Sequence, residues 1–168
     1  ESKRDVLENN PQLVVRQQFL SEFANTLIEL EFFSEAVDAG LKLRELTESG
    51  AFKLEMKSDE ILKIDTTWPK EVQEQMKKSK AQYEKSMVEA QEVMLNTNRV
   101  SYNTILSTAY SKNYKYKEAL PYSKAYSEGM NKMMEYSIEA LKSALETSIK
   151  SQAVADSVIE QLREGVDY

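Results

Sequence analysis

The chain has 168 residues and a formal net charge of −6 at pH 7, and it contains neither histidine nor cysteine. Because those two side chains supply most nucleophiles, most proton shuttles near neutral pH and most transition-metal ligands, their absence disfavours an enzyme. The acidic balance disfavours a nucleic-acid partner, since phosphate binding needs clustered lysine and arginine. We therefore expect no catalytic residue, no cofactor and no metal.

Composition favours long helices. The chain has four glycines and three prolines, against roughly twelve and eight expected at this length, and it is rich in good helix formers. No run approaches the roughly 18 apolar residues of a membrane-spanning helix. The chain opens on Glu1 without a Met, which we interpret as a processed or excised form, compatible with an extracytoplasmic location. The predicted fold class is all-α, in one domain over 1–168.

The first predicted element is a helix from Asn10-Pro11 to Gly50. Residues 1–10 are polar and are expected to form a flexible arm. Asn-Pro is typical of a helix start and Gly of a helix end. A kink is expected near Phe33-Ser34 or at Gly40. The predicted apolar face comprises Leu13, Val14, Phe19, Leu20, Phe23, Leu27, Ile28, Leu30, Phe33, Val37, Leu41 and Leu46.

Residues 51–66 break the helical pattern. Apolar and polar residues alternate from Phe52 to Met56, and alternation returns at Leu62 and Ile64 after a polar stretch. This spacing predicts a small β-hairpin between the first and second helices, with a short amphipathic helix as the alternative.

Two further helices follow. The second is predicted to start around Trp68-Pro69 and the third near Pro121, with a link at 112–120. A short link favours antiparallel neighbours, so we predict an elongated, coiled-coil-like antiparallel three-helix bundle. The third helix has the cleanest amphipathic pattern, which predicts core packing for Met130, Met133 and Met134 together with Ile138, Leu141, Leu145, Ile149, Val154, Val158 and Leu162.

Seven of the nine tyrosines fall between residues 102 and 136, around the second turn. Tyrosine combines a large apolar area with a polar tip, which suits interfaces. We expect Tyr102, Tyr110, Tyr122 and Tyr126 to fill the end of the core. The predicted partner-binding residues are those of the link, with the tryptophan beside the 51–66 element: Tyr114, Tyr116, Lys112, Lys115, Lys117 and Trp68.

These features favour a non-enzymatic protein-interaction or structural module, a helical rod that presents a binding tip to a protein partner. The alternative is an amphipathic protein acting at a lipid or hydrophobic surface, either a membrane or a storage granule. The charged side chains of 51–66 argue against its insertion into hydrocarbon. An apolar strip left uncovered by three amphipathic helices would also permit a homo-oligomer.

Overall fold

The computed structural model describes residues 3–8, 12–53 and 62–166, and these residues contain helices and no strand. The all-α prediction is confirmed for this part of the chain. The helices are α1 (Lys3–Glu8), α2 (Leu13–Glu29), α3 (Phe33–Glu48), α4 (Lys70–Lys112) and α5 (Tyr116–Val166).

The first predicted helix is two helices. The chain turns at residues 30–32, and α3 packs against α2 and also against α4. The three-helix arrangement is therefore not confirmed. Helix α3 continues without a break through Gly40. A Cβ on Gly40 would lie 2.8 Å from Leu106 Cδ2, so the missing side chain lets α3 approach α4 closely.

The core lies where α2, α3 and the C-terminal part of α4 meet. Leu43 of α3 and Leu106 of α4 are fully buried at its centre. Leu20, Leu27, Ile28, Val37 and Leu46 of the predicted face are buried there too, whereas Val14, Leu30 and Leu41 are exposed. The sequence thus identified most of this face.

A charged cluster joins the end of α3 to α4. The Nε and Nη2 atoms of Arg99 each donate a hydrogen bond to the Glu48 carboxylate at 2.8 Å. The Tyr102 hydroxyl donates to the same carboxylate at 2.8 Å. Hydrogen bonding from Arg99, with a smaller contribution from Tyr102, lowers the pKa of Glu48 to about 2. Burial and the neighbouring carboxylate raise the pKa of Tyr102 to about 12. At physiological pH the Glu48 carboxylate is therefore charged and the Tyr102 hydroxyl is neutral.

The predicted helix boundaries hold for α4 and fail for α5. Helix α4 starts directly after Pro69, as expected. Helix α5 starts at Tyr116, so Pro121 lies inside the helix, where it removes one backbone hydrogen bond. The link predicted at 112–120 consequently shrinks to residues 113–115.

The first part of α5 packs along α4. The buried Asn96 side chain of α4 donates to the backbone carbonyl of Gly129 at 2.9 Å. Close approach is needed here as well, because a Cβ on Gly129 would lie 2.6 Å from Val100 Cγ2.

The chain divides into two compact units, 1–130 and 131–168. In the second unit the described residues are helical up to Val166. Apart from the half-buried Met133 and Tyr136, its side chains from 131 to 163 are exposed. The predicted core packing of the third helix is therefore wrong for Met134, Ile138, Leu141, Leu145, Ile149, Val154, Val158 and Leu162, which are 47–70% exposed, and for Met130 of the first unit, which is exposed too.

Two predictions concern the ends of the first predicted helix. Residues 3–8, assigned to a flexible arm, form α1, where the Arg4 guanidinium lies 4.8 Å from the Phe23 ring centroid and Glu8 pairs with Lys42. The predicted hairpin falls largely on 54–61, which lie outside the described residues. None of the helices within the described ranges is long and apolar enough to cross a membrane.

Candidate interaction site

The turn between α4 and α5 is closed by two backbone hydrogen bonds. The N–H of Tyr114 donates to Ser111 at 3.0 Å, and the N–H of Lys115 donates to Tyr110 at 2.9 Å. This pair of bonds defines a Schellman cap, which places its C′ residue in the left-handed region and usually carries glycine there. Here that residue is Tyr114, with φ 59°.

A tyrosine at this position costs backbone energy, about 1 kcal/mol relative to glycine. Its side chain is 81% exposed, so burial does not offset the cost. The ring meets that of Tyr116 edge-on, with 6.4 Å between centroids. The turn thus displays a pair of aromatic rings to solvent on a rigidly capped backbone.

Three lysines flank these tyrosines in the sequence. Lys112, Lys115 and Lys117 are all exposed, and within the described part of the chain no ion pair involves any of them. The structure therefore brings together five of the six predicted binding residues. Leu120, also exposed, extends the apolar patch along the first turns of α5.

The tyrosines expected to fill the core mostly do so. Tyr102 is buried and bonded to Glu48. Tyr110 and Tyr122 pack against the core and stack on each other with 5.8 Å between centroids, and burial raises the pKa of Tyr110. Tyr126 is exposed. Tyr114 and Tyr116 are thus set apart from the structural tyrosines.

The turn between α2 and α3 has the same construction. The N–H of Phe32 donates to Leu27 at 2.8 Å and that of Glu31 to Ile28 at 3.2 Å, and Glu31 has φ 64°. Again a non-glycine residue occupies the left-handed position, and again the flanking apolar side chains, Leu30 and Phe32, are more than half exposed. The kink predicted near Phe33-Ser34 lies directly after this turn, but the sequence predicted a bend within one helix and not a break between two, because the turn carries no glycine or proline.

The two turns lie at the same end of the first unit. Glu48 at the end of α3 contacts Arg99 and Tyr102, whereas Gly40 lies against Ile105 and Leu106. The two helices are therefore antiparallel, so the beginning of α3 lies beside the end of α4. We call this end the two-turn surface, defined by the apolar residues Leu30, Phe32, Tyr114, Tyr116 and Leu120 and the charged residues of both turns.

The two turns carry opposite charge. Glu29, Glu31 and Glu35 are exposed around the first turn, and the sequence has no lysine or arginine between residues 17 and 41. Around the second turn, residues 112–120 include three lysines and one acidic residue, the exposed Glu118. The surface therefore has an acidic side and a basic side with apolar groups on both.

Trp68 lies elsewhere. It precedes α4, and the 43 residues of that helix separate it from the turn at Tyr114 by about 60 Å. Asp65 orders its surroundings by accepting bonds from the Thr67 N–H and hydroxyl, and the pKa of Asp65 is lowered by these bonds. Trp68 does not belong to the two-turn surface.

The side chains of the two-turn surface are phenol rings, aliphatic groups, ammonium groups and carboxylates. In the described ranges no group of three or more acidic side chains is placed to hold a metal ion. Comparison of the chain with protein-family models, with curated protein sequences and with solved structures finds no match.

Proposed function

We propose that this chain is a non-enzymatic protein-interaction module that binds a protein partner through the two-turn surface. The scaffold of this proposal is the predicted antiparallel, coiled-coil-like bundle, with its first helix folded into the α2–α3 pair and with residues 51–66 as a hairpin or short helix. One observation carries the proposal. Tyr114 holds a strained backbone conformation while its ring is 81% exposed, and strain without burial is typical of functional positions.

Tyrosine is also a residue that protein interfaces favour. Two rings presented on a capped turn lose little conformational entropy when a partner covers them. Flanking lysines add electrostatic steering and specificity more than affinity. The partner we expect presents apolar side chains together with carboxylates.

The test is the double variant Tyr114→Ala, Tyr116→Ala. Alanine occupies the left-handed position at a cost similar to that of tyrosine, so backbone strain is matched and the melting temperature should stay within about 2 °C. Immobilised wild-type protein should capture a protein partner from extracts of the cells that naturally produce this chain. The variant should capture at least tenfold less of it. Equal capture by both proteins, or a large loss of stability in the variant, would contradict the proposal.

A second candidate function is action at a lipid or hydrophobic surface. The observation that favours it is the exposed apolar side of residues 131–163, where Leu141 and Leu145 are 70% and 62% exposed. Amphipathic helices with such a face bind membranes. The charges of this segment between 132 and 150 are three lysines and three glutamates, so anionic lipids would add little attraction.

Vesicle flotation separates the two candidates. Wild-type protein and the variant Leu141→Gln, Leu145→Gln are mixed with neutral and with anionic vesicles. Flotation of wild type that is lost in the variant would support action at lipid. Wild-type protein that stays in the soluble fraction with both vesicle types would eliminate this candidate for bilayers.

A further inference from the structure

The two-turn surface is complementary to itself. An acidic turn with Glu29, Glu31 and Glu35 lies beside a basic turn with Lys112, Lys115 and Lys117. A surface of one sign repels its own copy, whereas a surface with both signs side by side matches its copy after a two-fold rotation. We propose that the partner bound by this surface is a second copy of the chain, in an isologous end-to-end dimer; this inference rests on the proposed function.

In this dimer the acidic turn of one copy faces the basic turn of the other, twice. Within one molecule the charges of the two turns remain available for a partner. No ion pair joins the acidic and basic turns of the surface among the described residues, and none of their six charged side chains has another ionic contact there. Each copy therefore contributes the carboxylates of Glu29, Glu31 and Glu35 from the first turn and, from the second, three ammonium groups and the Glu118 carboxylate.

The apolar residues occupy the same surface as the charges. Each turn contributes at least two large apolar side chains that are more than half exposed: Leu30 and Phe32 from the first, Tyr114 and Tyr116 from the second. Together with Leu120 they expose roughly 600 Å² per copy, so a dimer that covers all five side chains on both copies reaches about 1,200 Å² in total, the lower limit of a stable standard interface. The dimer is consequently at the weak end of such interfaces, with a dissociation constant in the micromolar range.

Its strength also depends on salt. Exposed charge pairs are screened over about 10 Å at 0.1 M salt and about 3 Å at 1 M. We expect the dissociation constant to rise at least tenfold between 0.05 M and 1 M NaCl. Lipid association of residues 131–163 would show little of this dependence, because their four basic and five acidic residues leave a net charge of only −1.

A charge-swap experiment tests the proposal. One variant carries Lys112→Glu, Lys115→Glu and Lys117→Glu, and the other carries Glu29→Lys, Glu31→Lys and Glu35→Lys. Analytical ultracentrifugation from 1 µM to 1 mM is expected to show that wild type dimerises and that each variant alone is monomeric. An equimolar mixture of the two variants should form a heterodimer, since each then meets the opposite charge.

A control variant makes the same change in net charge as the lysine variant, at positions outside the two-turn surface. Lys70→Glu, Lys77→Glu and Lys78→Glu alter exposed positions in the first part of α4, and this variant should dimerise like wild type. Circular dichroism melts establish that all variants are folded. Monomeric wild type at 1 mM, dimerisation of either swapped variant alone, or no association in the mixture would overturn the proposal.

The two proposals can fail separately. If wild type is monomeric but Tyr114→Ala, Tyr116→Ala still abolishes capture of another protein, the surface binds a different partner and the homodimer is wrong. If capture is independent of both tyrosines while the charge-swapped mixture associates, the homodimer stands and the search for a different partner at this surface ends.

Discussion

The contact between α3 and α4 and the exposed helix from residue 131 onward are built from the same kinds of residue, yet only one is a core. Leu43 is completely buried in the first region, and Leu141 is 70% exposed in the second. The exposed segment has the more regular apolar spacing. A hydrophobic stripe therefore identifies which side of a helix is available for packing, whereas burial depends on whether another element reaches that side.

The sharpest way to test this comparison is one substitution made in both regions. Leu43→Ala should lower the free energy of unfolding by about 2–5 kcal/mol, because it opens a cavity in a packed core. Leu141→Ala should change it by less than about 0.5 kcal/mol, since the site is exposed and both residues are good helix formers. Urea titrations followed by circular dichroism measure both values. Equal losses would mean that the second unit is buried in solution.

Gly40→Ala should also destabilise the contact. Alanine raises helix propensity by about 1 kcal/mol, but its Cβ would lie 2.8 Å from Leu106 Cδ2 and 3.0 Å from Ile105 Cγ2. Because these neighbours are buried and cannot easily move, we expect a net loss of about 1–2 kcal/mol. The reverse change at exposed Ala90, Ala90→Gly, isolates the propensity effect. A higher melting temperature for Gly40→Ala would show that α3 and α4 separate without penalty.

Acid should weaken the first region selectively. The pKa of Glu48 is lowered from 4.5 to about 2 in the folded state, so its stabilisation is fully present above pH 4.5 and is lost as the pH falls towards 2. Glu48 is partly exposed, and after allowance for screening we expect the loss to be about 1 kcal/mol. Unfolding at pH 6 and pH 3 should show a larger loss in wild type than in Glu48→Gln, which keeps the contribution of Glu8, whose pKa is lowered by Lys42. Glu45→Gln, with the wild-type pH dependence, serves as the control.

The smallest effect concerns the strained turn. Tyr114→Gly should stabilise the fold by about 0.5–1 kcal/mol, because glycine adopts a positive φ without strain. Tyr116→Gly, two residues later in the first turn of α5, should instead destabilise it by up to about 1 kcal/mol. Differential scanning calorimetry resolves the two opposite signs. Both variants should weaken dimerisation, and a stabilised variant that dimerises normally would remove Tyr114 from the interface.

The sequence predicted those features of the fold that depend on residues close together in the chain. Pro69 marked the start of α4, and the period of the first apolar face identified Leu20, Leu27 and Leu46 as core residues. The kink predicted near Phe33-Ser34 is close to the break at Glu31, but the full turn was not predicted, because a left-handed glutamate has no distinctive sequence signal, unlike Gly50, which adopts φ 76° after the end of α3. Pro121 misled in the opposite direction, since proline favours the first helical position but here lies within the helix.

The sequence predicted only one half of the candidate site, the turn between α4 and α5. The tyrosines and lysines of residues 112–117 are adjacent in the sequence, so their clustering could be read directly. The acidic turn is about eighty residues away, and only the antiparallel packing of α3 on α4 brings it to the same end. Long-range juxtaposition of this kind depends on the fold and leaves no trace in local spacing.

The hydrogen bond from Asn96 to the Gly129 carbonyl fixes how far α4 and α5 can slide along each other. A shift of one helical turn, about 5.4 Å, would leave a buried amide without an acceptor at a cost of about 1–3 kcal/mol. An apolar contact alone would tolerate such a slip more easily. The bond therefore fixes the register of this helix pair.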